Sequence, residues 1–335
     1  MRMLQSRHGV PAPNQHFPQG TIIMLPASGS AQNPAPQAGK LAVITGATGG
    51  LGFETALALA RAGAHVVLTG RNAAKGAAAL ERIRAQRPDA AVRYAHLDLA
   101  SLDSVRQFSA VLVREHATLD ILVNNAGVMA PPQCRMTSDG LELQFATNYL
   151  GHFALTARLL GPLRAAPRAR VVSVSSNAQR FAADFDFAGL GSGTRYNPWK
   201  AYAASKLACL MFALELQRRS DRAGWGLTSV AAHPGFARTE LFANGPGAGG
   251  FVHQLNERLL LPWLSQSATA GAQPLIFAAA AAEAEAGHYY GPTGLLGMKG
   301  PVGPATLSRR ARDPEAAARL WNRSEELAGL RWPVH

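Results

Sequence analysis

The stretch "KLAVITGATGGLGFETALALARAGA" at residues 40–64 decides the fold. It opens with a short apolar run rich in β-branched residues, passes through a glycine-rich turn at 45–52, and continues with apolar residues at helical spacing up to Gly63. A strand, a glycine turn and a helix in this order are typical of the start of a β-α-β unit. Glycines at that junction let backbone N–H groups approach a phosphate at the helix N-terminus. The stretch therefore predicts a phosphate-binding turn, although the glycines could instead serve only close packing of the helix on the sheet.

The alternation of strand and helix continues along the chain. Further strands are predicted at 65–70, 92–99, 120–127, 170–176 and 227–235. Further helices are predicted at 71–88, 101–116, about 138–163 and about 200–222. Strands that alternate with helices indicate right-handed crossovers and a parallel sheet covered on both faces. We therefore expect a single doubly wound α/β domain of the Rossmann type at 40–330.

The first 39 residues differ in composition from the rest. They contain six prolines and no Asp or Glu, and they show no sustained hydrophobic periodicity. Such a segment buries too little apolar surface to offset the entropy that folding costs. Residues 1–39 are therefore predicted to be a disordered tail, and no function is assigned to them.

Composition excludes several function classes. No apolar run approaches the roughly 18 residues that a membrane-spanning helix needs, so no span is predicted. The two cysteines, Cys134 and Cys209, give neither a disulfide framework nor metal-ligand spacing, which favours a reducing, cytoplasmic location without a metal. The net charge of +12 is high, but the basic residues are spread along the chain without a block of like charge. A nucleic-acid partner is therefore not expected.

The end of the second strand predicts the choice of dinucleotide. "VVLTGRN" places Arg71 where many dinucleotide sites carry an acid for the ribose 2′-hydroxyl, with Asn72 next and Lys75 one turn later. A guanidinium can bind a 2′-phosphate through two hydrogen bonds, whereas an acid would repel it. This favours NADP(H) over NAD(H); the alternative is a solvated arginine at the turn. Asp98, after the third strand, could accept from an adenine amino group or simply favour a helix N-terminus.

Four motifs together resemble the short-chain dehydrogenase/reductase superfamily over about residues 39–330. They are "TGATGGLG" (45–52), "NNAG" (124–127), "YAASK" (202–206) and "HPGFART" (233–239). Within the superfamily the retinol-dehydrogenase-like group is indicated by "TNYLGHF" (147–153), the long separation of Ser176 from Tyr202, and "YYGPTG" (289–294). The glycine turn alone also fits the spacing of an extended, epimerase-like branch, through Gly46, Gly49 and Gly52. The sugar-binding domain of that branch is not evident.

The resemblance implies a catalytic tetrad of Asn148, Ser176, Tyr202 and Lys206. On a helix Tyr202 and Lys206 share one face, and an ammonium beside a tyrosine stabilises the phenolate that general acid–base catalysis requires. Ser176 would hydrogen-bond the substrate oxygen, and Asn148 would hold a water that links Lys206 to solvent. Alternation along the strand puts Ser173 and Ser175 on the face opposite to Ser176.

The resemblance also implies the cofactor-binding residues. They are Gly46, Thr48, Gly50, Leu51, Gly52, Arg71, Asp98, Leu99, Asn125, Ala126, Gly127, Tyr202, Lys206, Pro234, Gly235 and Thr239. Family members often pair through the helices that carry Asn148 and Tyr202, so a homo-oligomer is one expectation, but the oligomeric state stays open.

The expected function is hydride transfer between NADP(H) and a small-molecule carbonyl or alcohol. The apolar segment 241–264 is interpreted either as a lid, which would suit a bulky apolar substrate, or as an interface helix. The alternative function is a dinucleotide-sensing or interaction module on the same fold, since a fold does not determine a function. An intact tetrad argues against such a module.

Overall fold

The computed structural model describes residues 34–185, 191–192, 196–236 and 266–333. Its centre is an eight-stranded sheet in the order β3-β2-β1-β4-β5-β6-β7-β8. The strands are Leu41–Ile44 (β1), His65–Gly70 (β2), Val92–His96 (β3), Ile121–Asn124 (β4), Arg170–Val174 (β5), Thr228–Ala232 (β6), Tyr289–Pro292 (β7) and Val302–Pro304 (β8). All neighbours pair in parallel except β8, which runs antiparallel to β7. The predicted doubly wound Rossmann-type fold is confirmed.

Helices cover both faces of the sheet. Those described are Gly50–Arg61 (α1), Ala73–Arg84 (α2), Leu102–Glu115 (α3), Gly151–Arg158 (α4), Leu160–Ala165 (α5), Pro198–Ala223 (α6), Ala268–Ala280 (α7) and Pro314–Ala328 (α8). A π-helix at Phe145–Leu150 leads directly into α4. None of the helices in the described ranges is long and apolar enough to cross a membrane.

Side chains that alternate along the strands supply two separate cores. Val43, Leu122 and Val171 point to one face and pack with residues of α3, α4, α6 and α8. Their neighbours Ile44, Val123 and Val172 point to the other face and pack with α1 and α7. The strands read as continuous apolar runs because a parallel sheet is buried on both sides.

The prediction of a long helix at about 138–163 is wrong for the first residues of that range. The chain is non-helical before Leu143, continues after Gln144 as the π-helix and returns to an α-helix at Gly151. The periodicity of apolar residues could not reveal this, since a π-turn shifts the register by one residue without changing the composition. Strands β7 and β8 were also not predicted. "YYGP" contains Gly and Pro, which are depleted in strands, and it lies in β7 next to an edge strand.

Two segments near the chain ends pack onto the domain. Gln37 is buried, and its backbone N–H donates to the Ala62 carbonyl at 2.8 Å, so the described chain packs from three residues before the predicted boundary at 40. At the other end, α8 lies across α4 and α6. The Trp321 ring packs edge-on against Phe153 at 5.0 Å between centroids and stacks on Phe212 at 5.8 Å.

Candidate active site

The turn after β1 has a backbone that requires glycine at particular positions. Gly46 and Gly50 have φ of +63° and +55°, whereas Gly49 is extended at φ −169°. A Cβ on Gly46 would lie 2.9 Å from Ala126 Cα, and a Cβ on Gly52 would lie 2.5 Å from the Gly46 carbonyl oxygen. Glycine is thus needed at 46, 50 and 52, which is the spacing T-G-x-x-x-G-x-G. The backbone does not require the alternative spacing through Gly49.

A cavity of about 940 Å³ opens at the carboxyl ends of the strands, around the point where the strand order reverses between β1 and β4. Open α/β sheets bind their ligands at this position. Of the residues predicted to bind the cofactor, those lining the cavity are Gly46, Thr48, Gly50, Leu51, Gly52, Arg71, Asp98, Leu99, Asn125, Ala126, Gly127, Tyr202, Lys206 and Pro234. Gly235 does not line it, and Thr239 and the segment 241–264 lie outside the described residues. The donor-rich backbone around the glycine turn fits a dinucleotide phosphate.

Arg71, Asn72 and Lys75 form the wall of the cavity beyond β2. Asn72 caps α2, because its side-chain oxygen accepts from the Lys75 backbone N–H at 2.9 Å. This cap starts the helix two residues later than predicted and leaves the Arg71 side chain exposed at the cavity rim. The Arg71 guanidinium is therefore positioned to bind an anionic group at the end of the cavity beyond β2.

Asp98 lies on the cavity wall in a tight turn. One of its carboxylate oxygens accepts from the Ala100 N–H at 3.0 Å, and its own N–H donates to Ser104 Oγ at 3.0 Å. The acid therefore has a local structural role after β3. Its second carboxylate oxygen would remain for a ligand on the cavity side.

Tyr202 and Lys206 lie one turn apart on α6, buried against the cavity. Lys206 Nζ donates to the Val174 carbonyl at the end of β5 at 3.0 Å and lies 5.9 Å from the centre of the Tyr202 ring. Helical spacing places both side chains on one face, as predicted. Only 4% of Lys206 is exposed, so its charge acts in a poorly solvated corner next to the phenol.

Asn148 lies in the π-helix, behind Gly127, and all its side-chain groups are engaged. Its Oδ1 accepts from the Val128 N–H at 2.7 Å, and its Nδ2 donates to the Val128 carbonyl and to Ser205 Oγ, both at 2.9 Å. A Cβ on Gly127 would lie 3.1 Å from Asn148 Oδ1 and 3.5 Å from Lys206 Nζ. Asn148 therefore fixes the chain that follows β4 close to the lysine.

The two serines at the end of β5 have different surroundings. Ser175 is buried, and its hydroxyl donates to the Lys206 backbone carbonyl at 2.7 Å, as expected for a serine satisfied by backbone. Ser176 is half-buried and caps a short 3₁₀ turn, Asn177–Phe181, by accepting from the Ala178 N–H at 3.2 Å. Ser175 is among the residues that line the cavity, whereas Ser176 is the next residue in the chain and is not among them. Because Ser176 Oγ acts as an acceptor in this bond, its hydroxyl hydrogen can be donated to another group.

Sequence reasoning missed several residues of this region. Arg135, Leu143 and Thr147 line the cavity from the chain between β4 and the π-helix, where no motif marked them. Thr45 is fully buried, and its Oγ accepts from the N–H groups of Asn125 and Ala126 at 2.8 and 2.9 Å. That threonine holds the glycine turn to the turn after β4. The motif "TGATGGLG" begins with this threonine but does not by itself indicate such a role. No cluster suited to a metal ion occurs in the part of the chain that is described.

Comparison with known proteins supports the family. The family model for short chain dehydrogenases matches residues 40–246. Human retinol dehydrogenase 13 is 40% identical over 94% of this chain and 93% of its own length. Mouse polyprenol dehydrogenase is 40% identical over 88% of this chain and 85% of its own length.

A solved structure is similar over most of the chain. It belongs to an uncharacterized protein from Mycobacterium paratuberculosis, with 38% identity, a TM-score of 0.73, and coverage of 91% of this chain and 98% of that one. The motifs, the cavity and these relatives agree with one another. The chain belongs to the short-chain dehydrogenase family, in its retinol-dehydrogenase-like group, and is an oxidoreductase that acts on alcohol and carbonyl groups.

Proposed function

We propose that this enzyme transfers hydride between NADP(H) and a bulky, apolar alcohol or carbonyl compound. One observation carries the proposal. Tyr202 and Lys206 are buried side by side on the wall of the same cavity that contains the glycine turn. A general acid next to a dinucleotide site is the arrangement that such a hydride transfer needs.

Each residue of the proposed active site has a separate role in the hydride transfer. The nicotinamide, when bound, supplies the hydride in reduction and accepts it in oxidation. Tyr202 gives its phenolic proton to the substrate oxygen in reduction and takes it back in oxidation, and the Lys206 ammonium stabilises the phenolate between these steps. Ser176 donates a hydrogen bond to the substrate oxygen as charge develops there. The Val174 carbonyl holds Lys206 in position for this role.

The preference for NADP(H) rests on the wall beyond β2. Arg71 is exposed at the cavity rim, and Asn72 and Lys75 line the same wall. A guanidinium binds a phosphate through two parallel hydrogen bonds, and no acidic side chain lies between Arg71 and Glu81 to repel it.

An apolar substrate is supported by exposed side chains on the catalytic side. Trp199 and Phe181 are 52% and 81% exposed, and the Trp199 ring lies 6.5 Å from that of Tyr202. Asn177 Nδ2 donates to the carbonyls of Leu296 and Gly297, which brings the loop with exposed Leu296 to the 3₁₀ turn that ends in Phe181. Large exposed apolar groups of this kind mark binding surfaces. Retinol and polyprenol, in the names of the two relatives, are apolar alcohols.

A cytoplasmic location is also part of the proposal. Cys134 is exposed and Cys209 is buried, and neither forms a disulfide. Cysteines that form no disulfide suit a reducing compartment.

The test is a steady-state assay of the purified full chain. NADPH and NADH oxidation is followed with a long-chain aldehyde, a ring ketone and a short polar aldehyde, alongside the Tyr202→Phe variant as the control. We expect the highest kcat/KM for NADPH with the long-chain or ring substrate, and no turnover in the variant. Equal turnover by wild type and variant would contradict the function, and a higher kcat/KM with NADH would contradict the choice of cofactor.

A further inference from the structure

His152 is a fully buried titratable residue that the proposed chemistry does not use. It is the second residue of α4, one turn after Asn148, and only 3% of it is exposed. Its ring lies between two polar atoms: Nδ1 is 2.9 Å from the Asn148 carbonyl oxygen, and Nε2 is 2.8 Å from Thr45 Oγ. A buried imidazole with both nitrogens engaged is held in one orientation.

The positions of the protons follow from the partners. The Asn148 carbonyl can only accept, so Nδ1 must carry a hydrogen. Thr45 Oγ already accepts from Asn125 N–H and Ala126 N–H, so its own hydrogen is left for an acceptor. His152 Nε2 at 2.8 Å is nearer to Thr45 Oγ than the Val123 carbonyl at 3.3 Å, so that hydrogen points at Nε2. His152 is therefore neutral, with its proton on Nδ1.

The surroundings favour this neutral form. The pKa of His152 is lowered to about 3, mainly by burial and to a smaller extent by the nearby Lys206 charge, against the bond to the Asn148 carbonyl, which raises it. A second proton would be carried on Nε2 and would face the Thr45 hydroxyl. It would remove the hydrogen bond that this hydroxyl donates to Nε2. The other titratable group close to the Asn148 carbonyl is the Cys209 thiol on α6, which donates to that carbonyl at 3.0 Å.

Through these bonds the imidazole joins the two halves of the cavity. On one side Thr45 holds the turn with Asn125 and Ala126, which line the cavity. On the other side lies the backbone of Asn148, in a π-helix, where the usual backbone register is interrupted. Two side chains reach the Asn148 carbonyl there, and the Asn148 amide in turn fixes Val128 beside Lys206.

We propose that His152 is a positioning residue, which as a neutral Nδ1–H imidazole locks the Asn148 carbonyl to Thr45 and so sets the place of Asn148 relative to Lys206 and Tyr202. This inference rests on the proposed function, because the position of Asn148 matters for turnover only if turnover depends on Tyr202 and Lys206. His152 itself touches neither substrate nor cofactor in this role.

Two substitutions separate the two bonds. His152→Asn keeps an N–H donor at the δ position and can still reach the Asn148 carbonyl, whereas His152→Gln keeps a polar group at the ε position and can reach only Thr45. Thr156→Val is the matched control, because Thr156 is buried one turn later on α4 and bonds the His152 carbonyl and Asn124, away from Asn148.

The readouts are kcat, the dependence of kcat on pH, the NADPH Kd and the Tm. We expect His152→Gln to lose about tenfold in kcat, as for an outer residue that orients a working group, and to shift the pH profile of kcat. His152→Asn should recover most of that loss, and Thr156→Val should lower Tm without a change in either kinetic readout. The same Tm loss in both histidine variants, with wild-type kcat and pH profile, would overturn the inference.

Failure of the inference differs from failure of the proposed function. If wild-type turnover does not depend on Tyr202, the proposed function fails and the inference fails with it. If it depends on Tyr202 but His152→Gln behaves as wild type, only the inference fails.

A measurement on the wild-type chain covers the case in which the variants do not fold. Selective ¹⁵N labelling of the histidines should show one neutral Nδ1–H ring that does not change between pH 8 and pH 5. That signal should remain after His233→Gln. A folded protein in which every histidine is the Nε2–H form, or protonates by pH 5, would overturn the inference.

Discussion

The two halves of the cavity are built in different ways. The half around the glycine turn is made mainly of backbone, with Gly46 and Gly52 at distances that exclude a side chain. The half around Tyr202 is made of buried side chains whose partners are distant in sequence, as Lys206 with Val174 and Asn148 with Val128. A backbone site depends on turn geometry, whereas a side-chain site depends on each hydrogen bond. We therefore expect changes in the first half to alter cofactor binding and changes in the second half to alter turnover.

The broadest effect, on both turnover and cofactor binding, should come from the residue that serves both halves. Lys206→Ala should lower kcat by about 10³-fold, which is within the range for groups that assist proton transfer, and should weaken NADPH as well. The reason is that the ammonium stabilises the phenolate and lines the cofactor cavity. Lys200→Ala, at an exposed lysine near the start of the same helix, is the control. Unchanged NADPH affinity in Lys206→Ala would break the expectation that this residue serves both halves.

The serines at the end of β5 test the catalytic half more finely. Ser176→Ala should lower kcat/KM by roughly 10²–10³-fold, the cost of a lost donor to a developing oxyanion, with only a small loss of Tm from the lost cap of the 3₁₀ turn. Ser175→Ala should affect turnover much less but lower Tm, because it removes the buried hydrogen bond from the Ser175 hydroxyl to the Lys206 carbonyl. Both variants are compared on one substrate. A larger catalytic loss in Ser175→Ala at unchanged Tm would reverse the assignment.

Arg71 tests the cofactor half. Arg71→Asp should weaken NADPH by about 10–100-fold, the range of a charge-assisted hydrogen bond of ~1.5–3 kcal/mol, and change NADH far less. Turnover at saturating NADPH should stay close to wild type, since the substitution lies far from Tyr202. Arg114→Asp, at an exposed arginine on α3, is the control for net charge. Equal losses for NADPH and NADH would mean that Arg71 does not contact a 2′-phosphate.

The smallest effect concerns the stability of the catalytic half against acid. Burial lowers the pKa of His152 to about 3 and that of His233 to about 4, below the value of about 6.5 for an unfolded chain. Between these values the unfolded state binds more protons, so stability falls as the pH falls below about 6.5. At pH 5.5 each histidine should cost about 1.4 kcal/mol of unfolding free energy.

Urea unfolding between pH 8 and pH 5.5 measures this loss. His233→Gln should reduce the slope of stability against pH, and His96→Gln, at an exposed histidine, serves as the comparison. A wild-type stability that rises on acidification would have the wrong sign for buried neutral histidines.

The sequence predicts the backbone half of the site better than the side-chain half. The glycines at 46, 50 and 52 and the strand–helix alternation are local patterns, and local sterics determine them. Tyr202 and Lys206 could also be predicted, because they are four residues apart on one helix.

The rest depends on tertiary contacts that periodicity does not encode. Thr45 and His152 are 107 residues apart, and their bond follows only from the tertiary fold, which brings α4 to the end of β1. The π-helix at Phe145–Leu150 and the edge strand β8 are likewise settled by neighbours rather than by propensity. Arg135 reaches the cavity from a loop without any motif.

The most direct test of the division between the two halves is the Tyr202→Phe variant, measured for both NADPH Kd and kcat. The substitution removes one hydroxyl and leaves the ring, which packs against Trp199. We predict an NADPH Kd close to wild type together with turnover that is no longer detectable, because only the transferable proton is lost. Near-normal turnover in a folded variant with normal NADPH binding would contradict the account.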